Sequence, residues 1–153
     1  MNNTNPSYFN KLNLIYWALI GSQILFAIIA SLIQSGQVSE AEAYQDSMIF
    51  RFIAIILIAG ASFASHTLPN KIIPINKDQE TKEKLQMYMS RQIMRLALLE
   101  GPSMLCIVFY ILKSDMIFLL GSVVCIVFML NARPKKEKII EELEIRAEDQ
   151  NMI

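Results

Sequence analysis

Glu100, Gly101 and Pro102 stand together inside an apolar stretch, residues 96–112 (LALLEGPSMLCIVFYIL). A carboxylate in hydrocarbon costs about 2.5–3.5 kcal/mol on insertion scales, so it turns inward, finds a partner or takes up a proton. Pro102 has no N–H, and the carbonyl of Leu98 therefore loses its helix hydrogen bond. Gly101 leaves room for a second backbone. An acid beside a freed carbonyl is chemistry for holding a proton, an ion or a water. The same acid, hydrogen-bonded and neutral, would do no more than fix helix register.

Depth extends the set. At about 1.5 Å per residue, Glu100 falls roughly 6 Å from the middle of its apolar block. Ser62 falls at nearly the same level of its own block, and Gln23 close to the middle of another. Three apolar segments thus each contribute a polar group to one layer. The expected site is an intramembrane polar cluster of Glu100, Gln23, Ser62 and Pro102. Arg91 and Arg95 point elsewhere round the helix from Glu100 and are expected to snorkel to the interface. Arg51, near the start of its block, is expected to reach outward toward the acidic segment after the first block. Cys106 and Cys125 offer either a metal or redox pair or two buried apolar fillers. With no CxxC and His66 the one histidine, the filler reading is preferred.

The elements that must hold these residues are helices in a bilayer. Of 153 residues, 54% are hydrophobic and 18% charged, and the apolar ones gather in four blocks: 12–33, 48–65, 96–112 and 116–130. A helix needs about 20 apolar residues to cross a hydrocarbon core, with roughly 17 the minimum. A membrane barrel would instead alternate in segments of about ten. The spans predicted are 12–34, 48–66, 92–113 and 115–132. The first is too long and too weakly charged at its start for a cleaved leader, and reads as a retained span. The fold expected is all-α: an integral membrane four-helix bundle over 1–133, with cytoplasmic helical extensions.

Charge placement orients the chain. Lys71, Lys77, Lys82 and Lys84 lie between spans two and three, and Arg133, Lys135, Lys136 and Lys138 follow span four. Glu40, Glu42 and Asp46 lie between spans one and two. The positive-inside rule puts both termini and the lysine-rich loop in the cytoplasm, as for a bacterial inner-membrane protein. Residues 66–83 read as a linker. Residues 78–94 read as a helix running unbroken into span three. Pro134 should end or kink the fourth helix, and 135–148 reads as a charged helix with Ile139, Ile140 and Leu143 on one side, in a tail over 134–153.

The segment LALLEGPSMLCIVFYIL resembles the carboxylate-bearing helix of the rotor-ring proteolipid subunits of ATP synthases. That resemblance covers this one span and implies an ion-binding role for Glu100. The whole chain is similar to small uncharacterised four-span proteins of bacteria, which implies no activity.

No GxSxG, HExxH or glycine-rich phosphate loop is present, and catalysis is not expected. No cofactor and no nucleic-acid partner is expected either. The partners implied are the lipid bilayer and further copies or another membrane protein. The function read from the residues is a non-enzymatic subunit or accessory protein. The alternative is proton or ion translocation by an oligomer through Glu100.

Overall fold

The computed structural model describes residues 8–35, 47–76 and 79–145. These form five helices and, among the described residues, no strand: α1 (Tyr8–Ser35), α2 (Ser47–Ile72), α3 (Thr81–Lys113), α4 (Met116–Asn131) and α5 (Lys136–Leu143). Three of them, α1, α2 and α3, are long and apolar enough to cross a membrane. The 16-residue α4 reaches the same length only when α5, bent from it by 63°, is counted with it, which makes up to four candidate spans.

Sequence dictates where each helix stops. Lys113 ends α3 because Ser114 adopts the left-handed conformation (φ 54°), and its N–H closes on the Tyr110 carbonyl. Asp115 then opens α4, its carboxylate accepting the Ile117 N–H at 3.1 Å. Pro134 separates α4 from α5, as expected. Several boundaries differ from the expectation: α1, for one, begins at Tyr8 rather than at residue 12. Residues 66–72 belong to α2, which carries Pro69 inside it, rather than to a linker. The charged helix α5 ends at Leu143, with Glu144 in the left-handed region (φ 49°), and residues 146–148 lie outside the described ones. Residues 79–80 precede α3, which then runs unbroken through Pro102, and residue 78 lies outside the described ones. The acidic segment 36–46 and both chain ends also lie outside the described residues.

Packing is organised by α3. It meets α1, α2 and α4, and α4 meets both α1 and α2, whereas α1 and α2 scarcely touch. The cross-section is therefore a diamond, with α3 and α4 across its short diagonal. Because Gln23 meets Ser103 and Gln34 meets Tyr110, α1 and α3 run in the same direction. Three apolar clusters stack along the bundle. Ala30, Ala54, Cys106, Ile107, Tyr110 and Phe118 fill the end at the α3–α4 turn. Tyr16, Ile20, Leu96, Leu99 and Met129 fill the middle. At the other end, Ile139, Leu143 and Ile145 fold back onto Leu12, Leu85 and Tyr88, so α5 docks on α1 and α3.

The exterior is as apolar as the interior. Leu14, Ile56 and Phe63 are each about 70% exposed, while Gln23, Ser103 and Ser122 are fully buried. That polarity is the reverse of a water-soluble bundle, which buries its apolar stripe and exposes its polar one.

Candidate functional site

The innermost polar group is Gln23, near the centre of α1. Its Oε1 accepts the Ser103 hydroxyl at 2.8 Å, and its Nε2 donates to the Met129 sulfur at 3.3 Å. The Ser103 oxygen also lies 3.4 Å from the Ser122 carbonyl, and the Ser122 hydroxyl turns back to the Leu119 carbonyl at 2.8 Å. A closed polar layer thus joins α1, α3 and α4. Removing one member would leave a buried amide or hydroxyl without a partner, which costs about 1–3 kcal/mol.

Of the four residues expected to cluster, the structure places Gln23 in this layer and none of the others in a hydrogen bond with it. Pro102 is buried beside Ser103 in α3. Ser62 faces into the protein from α2, its hydroxyl oxygen buried and unpartnered. Glu100 is half-buried on the flank of α3 and has no hydrogen-bond or ion-pair partner among the described residues. A Cβ at Gly101 would meet nothing within 4 Å, so no second backbone approaches there. The close approach is at Gly121 instead, where a Cβ would stand 3.2 Å from the Cys106 sulfur and 3.1 Å from Ile58 Cδ1.

The three arginines are tied to the protein rather than merely anchored. Arg51 pairs with Asp115 at 2.7 Å, so the acid that caps α4 also holds α2. Arg91 pairs with Glu142 of α5 at 3.0 Å and donates to the Ile73 carbonyl at 2.9 Å. Arg95 donates from Nε to the Ser65 carbonyl at 3.1 Å. Ser65 lies four residues before Pro69, so its carbonyl is the one that Pro69 leaves without a helix N–H. The proline-freed carbonyl filled by a side chain is therefore in α2, and a cation fills it.

Two levels of polar contact bound the bundle. At one, Arg133 lies over the Trp17 ring (5.6 Å), Tyr16 packs with Leu96, and Arg95 reaches Ser65. At the other, Gln34 donates to the carbonyls of Tyr110 (3.0 Å) and Ile111, and accepts the Ser114 hydroxyl at 2.9 Å. Arg51–Asp115 and Lys113 over the Phe50 ring complete that level. From Arg95 to Lys113 the rise along α3 is about 27 Å.

Ser103, Ser122, Met129, Gln34 and Asp115 were not singled out from sequence. The stripe Leu96, Leu99, Ser103, Cys106 and Tyr110, spaced three and four apart, carries the signal for Ser103. The same spacing in Phe118, Ser122, Cys125 and Met129 carries it for α4. Cys106 and Cys125 are free and buried on these facing stripes. Among the described residues, no group of three or more histidine, cysteine or acidic side chains could hold a metal.

Among the described residues, the fold and its polar layer define an all-helical bundle with three, or at most four, helices fit to cross a membrane. No protein-family description, curated protein or solved structure matches the chain.

Proposed function

We propose that this chain is a multi-pass membrane protein, with α1–α4 crossing a bacterial inner membrane, that serves as a non-enzymatic subunit or accessory factor. The observation that carries the reading is the reversed polarity: apolar side chains cover the outside while Gln23, Ser103 and Ser122 satisfy one another inside. The two polar levels, about 27 Å apart, match a hydrocarbon core of about 30 Å. The lysine-rich α2–α3 connection and α5 then belong to the cytoplasmic side. On that side α5 and the first part of α3 form a folded cap with Leu12, Leu85, Tyr88, Ile139 and Leu143 at its centre. A cap that projects from the lipid is a surface for a protein partner.

A second reading, proton or ion translocation by an oligomer, is favoured by one feature. Glu100 lies on the flank of α3 without a partner among the described residues. The closed Gln23–Ser103 layer offers no open polar path through one bundle, so the path would have to run between copies.

Mass measurement of the full chain extracted from native membranes tests both readings. A stoichiometric complex with a different protein, lost on truncation at Pro134, supports the accessory role. A homo-oligomer whose ion flux in liposomes disappears in Glu100→Gln, with its thermal stability unchanged, supports translocation and removes the first reading. Full release of the chain by alkaline carbonate would remove the membrane assignment itself.

A further inference from the structure

Among the described residues, Arg95 is hydrogen-bonded through one atom only. Its Nε is fixed on the Ser65 carbonyl, and among the described residues neither Nη group has a hydrogen-bond or ion-pair partner. The guanidinium is thereby held at the seam of α2 and α3, at the level where Trp17 and Arg133 meet on the other side of the bundle. The nearest acid along α3 is Glu100, roughly 140° round the helix from Arg95, so it does not face the same seam. Arg91, one turn earlier, is already occupied by Glu142 and Ile73.

We propose that Arg95 receives the phosphate of an anionic phospholipid in the seam between α2 and α3. The inference rests on the membrane reading above. A guanidinium with two unpaired amino groups presents a planar fork that matches phosphate oxygens, and arginine is the side chain best suited to that geometry. Beyond Arg95 toward the opposite end, Leu98, Gly101, Leu105 and Leu112 form a track on the outer flank of α3, about 60–120° round the helix from Arg95 on the side away from Glu100. Leu105 and Leu112 are exposed there, and a Cβ at Gly101 would meet nothing within 4 Å. That open apolar track suits an acyl chain leading away from the headgroup. A lipid therefore fits better than a free anion, for which the track would have no use.

The test is native mass spectrometry of the full chain from mixed micelles of phosphatidylglycerol and phosphatidylcholine. One arginine near a bilayer surface corresponds to a preference of about fivefold for the anionic lipid. The wild-type chain is expected to retain phosphatidylglycerol with that preference, Arg95→Gln to lose it, and Arg95→Lys to keep part of it. Lys82→Gln, at an exposed position on the same helix, should leave the preference unchanged. Thermal stability of each variant, measured alongside, separates loss of the site from loss of the fold. Equal retention of both lipids by wild type, or an undiminished preference in a folded Arg95→Gln, overturns the proposal while leaving the membrane assignment intact. Displacement of the lipid by excess inorganic phosphate would assign the site to a free anion and also overturn it. A chain that is not taken into micelles or bilayers would instead defeat the membrane reading.

Discussion

The Nε of Arg95 lies 3.1 Å from the carbonyl oxygen of Ser65, the acceptor that Pro69 strips of its partner inside α2. A side chain of α3 thus completes the backbone of α2. The pairing lets a proline remain within a helix at a cost lower than the roughly 3 kcal/mol of an uncompensated one.

This relationship predicts a coupling. Pro69→Ala returns an N–H to the Ser65 carbonyl and makes the arginine's hydrogen bond less necessary. Arg95→Gln should then cost less stability in the Pro69→Ala background than in the wild type, with a coupling of about 1 kcal/mol. A double-mutant cycle in unfolding free energy, measured in micelles, checks it. Simple additivity would mean that the contact does not compensate the proline.

The Gln23 layer predicts asymmetry between partners. Ser103→Ala leaves the Gln23 oxygen buried and unpaired and should destabilise by about 1–2 kcal/mol. In the double variant Gln23→Leu with Ser103→Ala, both partners are apolar and part of that loss should return. Thermal unfolding of the two single variants and the double one decides the matter. A double variant worse than the sum of the singles would contradict the layer as described.

Asp115 has two tasks that chemistry can separate. Asp115→Asn keeps an oxygen for the Ile117 N–H but discards the charge that Arg51 needs, whereas Asp115→Ala loses both. The cap is worth about 1 kcal/mol and the partly exposed ion pair about 0.2–1 kcal/mol. Alanine should therefore be the more damaging of the two Asp115 changes, and the Asn variant's deficit should not exceed that of Arg51→Gln. Denaturant or thermal titration of the three variants provides the comparison.

The glycines predict different responses to one methyl group. Gly101→Ala adds a Cβ that meets no atom of another helix within 4 Å, but the adjacent Pro102 ring crowds a Cβ at that position and offsets the roughly 0.5–1 kcal/mol that alanine gains over glycine, so stability should change little. Gly121→Ala pushes against the Cys106 sulfur and Ile58, and a larger Gly121→Leu should separate α4 from α3. Alkylation of the two buried thiols reports it, staying slow in Gly101→Ala and accelerating in Gly121→Leu.

The helices could be read from the sequence because block length and composition suffice for that. Gln23 was legible because an amide in the middle of an apolar block is conspicuous. Its partners were not, since choosing Ser103 over Glu100 or Ser62 requires the rotation of each helix against its neighbours. The position of Glu100 in its block fixes a depth and leaves the direction open. Arg51, Arg91 and Arg95 show the same division: their levels could be read, but Asp115, Glu142 and the Ser65 carbonyl come from segments 64, 51 and 30 residues distant. Pro69 misled as a boundary because its cost is met by a residue on another helix.

The diamond arrangement has a consequence for how such a chain is made. Synthesis delivers α1 and α2 first, and these two have almost nothing to offer each other. They must wait side by side, unpaired, until α3 emerges and gives each of them a wall to settle against. Maturation is gated by the third helix, and a ribosome stalled before residue 81 would leave two strangers in the lipid rather than half a protein.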